Sequence, residues 1–133
     1  MAFQFSTAAR NAALDAMETA IGTAPTLELR SGAAPANCAA AATGTVLATL
    51  VLPLDWLAAA AAGAKALSGS WQDTSADAAG TAAHFRINQG VTCHWQGTVT
   101  ATGGGGDLTL DNIVIALAQQ VTITAMTLTA GGA

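Results

Sequence analysis

The stretch from Ala83 to Val99 constrains this chain most, because polar and apolar residues alternate along it on both sides of Asn88-Gln89-Gly90. Ala83, Phe85 and Ile87 share one face of the first arm; Val91, Cys93 and Trp95 share one face of the second. Period-two alternation marks strands with one buried and one wet face, so the stretch reads as a β-hairpin. Parity selects the turn. A three-residue loop with Gly90 in the left-handed position pairs Ile87 with Val91, Phe85 with Cys93 and Ala83 with Trp95. A two-residue loop would set apolar against polar throughout. The same register places His84 opposite His94, and Arg86 opposite Thr92, on the wet face.

Around this hairpin the pattern predicts a mainly β fold, an antiparallel β-sandwich or barrel-like domain with one N-terminal amphipathic helix. The 133 residues are read as one β-rich domain (1–133), with the helix at about 6–22 and the β-domain at about 26–130. Ser6 or Thr7 starts the helix, Gly22 stops it and Pro25 follows. Ala13, Leu14, Met17 and Ile21 form its apolar stripe, and Leu14, Met17 and Ile21 are the expected docking residues, against the sheet or a neighbouring subunit.

Thr26–Ser31 alternates as a strand, with Leu27 and Leu29 inward, and 31–43 reads as a loop. Thr45–Leu52 is apolar on both faces and is the expected central strand. Leu54–Gly63 is either a short capped helix or a loop, and Ala64–Trp71 is a strand before the polar loop 72–80. Four glycines, 103–106, make a flexible hairpin turn into a strand at 107–111. Ile113–Leu117 is a strand or a crossing segment. Gln120–Ala130 changes parity, which a β-bulge near Ala125 would repair.

No catalytic group can be assembled. Cys93 and His94 are adjacent in a strand and point to opposite faces, and Ser68, Ser70 and Ser75 lie in no nucleophile elbow. The glycine run lacks the lysine and hydroxyl of a phosphate loop. The chain is therefore expected not to be an enzyme and to use no cofactor. His84 and His94 are weak candidates for a metal pair, but a polar surface pair is the expected reading. Trp56, Trp71 and Trp95 could form a sugar-stacking platform; in a chain with 5% aromatic residues they read instead as core anchors. Two cysteines are too few for a disulfide scaffold. Cys38 and Cys93 are expected to be unbridged small hydrophobes, with one disulfide or metal ligation as competing readings.

Only 9% of residues are charged and the net charge is −4. There is no basic patch for nucleic acid, and no stretch reads as a membrane-crossing helix or a secretory signal. Manufacture in a cytoplasm is expected. So sparsely charged a surface points to cover by a partner, through a homo-oligomer or a lattice.

Three segments carry a family resemblance: Ser6-Thr-Ala-Ala-Arg-Asn-Ala, Gly80-Thr-Ala with Phe85-Arg-Ile, and Thr102-Gly-Gly-Gly-Gly-Asp-Leu-Thr-Leu-Asp-Asn. With the linker Ala34-Pro-Ala-Asn-Cys-Ala between the first two, the chain resembles small structural proteins of tailed-phage and prophage virions. The resemblance implies a capsid decoration (cement) protein on the head shell, made in the bacterial host cytoplasm. Its implied partners are the major capsid protein and copies of itself. A tail- or baseplate-located adhesin that binds a host surface is the alternative.

Overall fold

The computed structural model describes residues 3–132, and its architecture is mainly β with one helix. The helix α1 spans Thr7–Ile21; the Ser6 side chain accepts the Ala9 N–H at its start, and Gly22 closes it with a bond to the Glu18 carbonyl. These are the caps expected from the sequence. Ten strands follow among the described residues: β1 (Thr26–Ser31), β2 (Val46–Val51), β3 (Ala64–Ala66), β4 (Trp71–Asp73), β5 (Gly80–Gln89), β6 (Thr92–Ala101), β7 (Leu108–Leu110), β8 (Val114–Ile115), β9 (Val121–Ile123) and β10 (Thr127–Thr129). The main sheet runs β2-β1-β5-β6-β7, with β8 on the start of β5; β3 pairs with β10 and β4 with β9.

The central strand is β5, not the segment at 45–52. Four consecutive residues of β5, His84 to Ile87, are buried, because both faces of the sheet are covered there. β2 lies at the edge. Its apolar residues on both faces have another cause: the register shifts so that Leu29 faces Ala48 while Arg30 faces Val46. The extra residue, Leu47, turns into the core beside Ala48 and Leu50. The edge itself is covered by the polar loop after β4. Asp77 N–H donates to the Leu47 carbonyl at 2.8 Å, Thr49 N–H donates to Asp73 Oδ2 at 2.9 Å and Thr49 Oγ1 to Asp77 Oδ2 at 2.7 Å. Such cover removes an aggregation-prone edge.

The hairpin forms, but with a different register. Gln89 pairs with Thr92 around a two-residue turn, Gly90-Val91. Gly90 has φ 62°, as a type II′ turn requires of its first central residue. The apolar mismatch this turn would create is cancelled at once. Asn88 faces Cys93 while Ile87 faces Trp95, so His94 is an extra, bulged residue. Beyond the bulge Phe85 faces Gly97 and His84 faces Thr98. The expected pairings Phe85–Cys93 and His84–His94 do not occur. Cys93 moves to the outer face, and Val91, expected inward, is exposed at the turn.

Two further expectations are corrected. The glycine run does not close a hairpin, because β7 returns parallel to β6, with Val99 opposite Leu108. A tight loop achieves this by lying on Thr100: a Cβ on Gly104 or Gly106 would sit under 3.0 Å from that side chain. Residues 54–63, open between a short helix and a loop, form a loop with isolated bridges, Leu57 to Leu67 and Ala61 to Ala64. The strand expected over 64–71 is divided into β3 and β4. The parity break near Ala125 is real, and it separates β9 from β10, which pair with different partners.

Inside, Leu27, Leu29, Leu50, Phe85 and Ile87 join Trp56 and Trp71 in one buried cluster. Trp56 lies 6.0 Å from Trp71 and 6.5 Å from Trp95, and Phe85 meets Trp95 edge-on at 5.7 Å. The buried indole N–H groups donate to the Gly22 carbonyl (Trp56) and the Trp56 carbonyl (Trp71). The tryptophans are core anchors, as aromatic side chains with satisfied polar handles tend to be.

The helix docks by a polar edge as well as by apolar residues. Leu14 and Ile21 are buried, but Met17 stays 43% exposed. Asn11 Oδ1 accepts the Gly63 N–H at 2.8 Å. Lys65, only 2% exposed, places Nζ 2.5 Å from Asp15 and 2.7 Å from Glu18. Burial opposes the Lys65 charge, but the hydrogen bonds and charges of Asp15 and Glu18 outweigh it and hold the pKa above the ordinary 10.5. The hydrogen bond from Lys65, then one from the Ala60 N–H, holds the Asp15 pKa below the ordinary 3.8.

Leu50→Ala should cost about 2–5 kcal/mol in denaturant unfolding, by lost transfer energy and a cavity. Met17→Ala should stay within about 0.5 kcal/mol, because that side chain is half in solvent. The Lys65 clamp also predicts a pH profile. The Asp15 contribution is present above pH 3.8 and is lost as pH falls through its lowered folded pKa. The Lys65 contribution is complete below pH 10.5 and is lost as pH rises through its raised folded pKa. Melting temperature should therefore fall at both extremes, and Lys65→Met should flatten the alkaline limb.

Candidate functional site

The outer face of the main sheet, expected to be wet, is covered. Residues 32–44 cross it as an irregular strap, and the carbonyls of such a segment need donors. The sheet supplies them. His84 Nδ1 lies 2.7 Å from the Gly32 carbonyl, Gln96 Nε2 donates to Pro35 at 2.8 Å, and Arg30 Nη1 donates to Thr43 at 3.2 Å. Arg86 Nη2 donates to Cys38 at 2.7 Å and to Ala40 at 3.3 Å. The sequence signal was present in a cluster of donor-bearing side chains on one face of β1, β5 and β6.

Cys38 and Cys93 are joined by a disulfide, contrary to expectation. The two-residue turn is the cause, because it pairs Cys93 with Asn88 rather than with Phe85. It turns Cys93 off the core face to the side on which the strap brings Cys38. Cys93 is therefore not a free thiol. Beside the bridge lies a cavity of about 510 Å³ whose charged lining residues are Glu28, Arg30 and Arg86.

His84 and His94 are not brought together. His84 is buried under the strap, whereas His94 is the exposed residue of the bulge. Among the described residues no group of three or more His, Cys, Asp or Glu is arranged to hold a metal ion. Of the three docking residues expected on α1, Leu14 and Ile21 are spent on the chain's own core, and Met17 alone faces outward.

Met17 opens onto a second feature that the sequence did not reveal. Between α1 and β10 runs a groove of about 490 Å³, lined by Phe5, Ala9, Ala13, Met17 and Leu128 among others. Among the described residues Arg10 is its one charged lining residue. Phe5 is 56% exposed, and the chain leading into the helix also carries an exposed Phe3. The N–H of Phe5 bonds the Gly132 carbonyl, which joins the segment before α1 to the one after β10 beside the groove. β10 has β3 on one side only, which makes it an edge strand. Among the described residues no helix is long and apolar enough to cross a membrane. No family model, curated protein or solved structure matches this chain.

The disulfide closes a separation of 55 residues. Loop-closure entropy sets its stabilisation at about 4 kcal/mol as an upper value. Reduction, or Cys38→Ser, should lower the unfolding free energy by a few kcal/mol. It should also release the strap first, seen as faster amide exchange at Ala39–Ala42 than in β5.

Proposed function

We propose that this chain is a structural component of a tailed-bacteriophage virion, a capsid decoration protein that lies on the head shell against the major capsid protein and copies of itself, and that it has no chemistry of its own. The observation that carries the reading is the uncovered apolar groove between α1 and β10. Phe5 and Met17 remain in water there, although the helix has buried Leu14 and Ile21 in its own core. A contiguous apolar patch beside an open strand edge favours association. The low charge of the chain supports the same reading, because a contact of this kind needs little electrostatic matching. The resemblance of the three sequence segments to small virion proteins adds the setting.

Mechanically, a decoration protein stabilises a shell by burying surface at each repeated junction. Standard interfaces bury about 1,200–2,000 Å², and repetition across a lattice multiplies weak contacts. The test uses shells stripped of this protein. Adding it back should raise the temperature at which they open, and raising salt should weaken the contact little, since few charges take part. The double variant Phe5→Ser, Met17→Ser should keep its own folding stability within about 1 kcal/mol yet lose shell occupancy. Unchanged shell opening, with the protein found in few copies at the tail tip, would replace this reading by the adhesin.

A further inference from the structure

The cavity under the strap contains an imbalance of charge that the fold does not resolve. Its charged residues are Arg30 and Arg86 against Glu28 alone, which leaves one positive charge in excess. Glu28 is already committed. Its carboxylate accepts from Arg30 Nη2 at 3.2 and 3.3 Å and from Asn88 Nδ2 at 2.7 Å. Arg86 is 4% exposed, and among the described residues no carboxylate lies within ion-pair distance of it. Its Nη2 is spent on two strap carbonyls, but its Nε has no acceptor; the Nε of Arg30 has none either. Glu28 faces Arg86 across the β1–β5 ladder but forms no ion pair with it; a buried guanidinium left so is costly, and its unspent N–H donors are groups that can receive an oxyanion.

We propose that this cavity binds one carboxylate, received by Arg86 with Arg30 beside it. The excess of a single positive charge matches a monoanion better than a phosphate, whose second charge Glu28 would repel. The planar guanidinium matches the planar carboxylate. The walls at Ala39–Ala42 are small and leave room for the alkyl stem that bears it. The ligand is either a free small carboxylate or the side chain of an acidic residue presented by a peptide. This assignment does not depend on the virion reading.

The experiment is titration of the oxidised full-length chain with sodium acetate, with the blocked tripeptide acetyl-Ala-Glu-Ala-amide, and with inorganic phosphate. Sodium chloride at matched ionic strength is the blank, and the arginine Nε–H resonances are followed. Saturable shifts of Arg86 with acetate or with the tripeptide support the site. Acetate alone identifies a free carboxylate as the ligand, and response to the tripeptide identifies a peptide side chain. Arg86→Lys, which keeps the charge but loses the planar guanidinium and its Nε–H, should weaken binding about tenfold. Glu28→Gln, which removes the competing carboxylate, should tighten it several-fold. Arg86→Met should abolish the saturable shift, and if it does not fold, the other two variants still decide the matter. No saturable shift with either carboxylate, tighter binding of phosphate than of acetate, or Glu28→Gln binding more weakly than the parent would overturn the proposal.

Discussion

The carbonyls of the strap must find donors, and the rest of the outer face follows from that need. An irregular segment of about a dozen residues cannot satisfy all of its own backbone. It bonds itself at Ala40 to Asn37 and Thr43 to Ala33, and β1, β5 and β6 supply further donors by presenting Arg30, His84, Arg86 and Gln96 in a patch beneath it. Those side chains in turn are buried only because the strap is there. Each half of the arrangement would be unfavourable alone: exposed charges would need no strap, and a strap over aliphatic side chains would leave its carbonyls unpaired. Together they make β5 a strand with two covered faces, and so the true centre of the sheet.

The bulge at His94 links this outer layer to the core. One extra residue in β6 lets a two-residue turn coexist with an apolar inner face, by returning Trp95 to the side of Ile87. The turn itself sets Cys93, opposite Asn88, on the side of the strap. The turn thus serves the disulfide to Cys38, and the bulge restores the packing of Trp95 against Trp56 and Phe85. With the turn kept, a ladder without the bulge would send Trp95 outward and leave Cys93 opposite Asn88, since a slip of one residue exchanges the faces of a strand.

The helix obeys a different balance. It gains from burying Leu14 and Ile21, and from the Lys65 pairs with Asp15 and Glu18 on the side that meets β3 and the 57–63 segment. That side is rotated from the stripe that hydrophobic spacing alone selects. Ala13 and Met17 are left beside β10, where they line the groove on which the decoration reading depends. A polar edge used for docking within the chain therefore frees an apolar edge for contact outside it.

The sequence by itself determined the local elements: the helix with its Ser6 and Gly22 caps, the alternation of β1, the inward positions of Leu27, Leu29, Phe85 and Ile87, and the change of phase near Ala125. These rest on interactions within a few residues or on a periodicity that one strand displays alone. Only the tertiary structure decided the hairpin register, the place of β2 at the edge, the parallel return of β7, the docking face of α1 and the bridge between Cys38 and Cys93. Each of these joins groups distant in the chain, and local alternation carries no information about them. An arginine on the polar face of a strand reads the same whether water or a backbone carbonyl receives its protons. The choice is made by the carbonyls of the strap, some 46–48 residues away from Arg86, which have no other donor when buried.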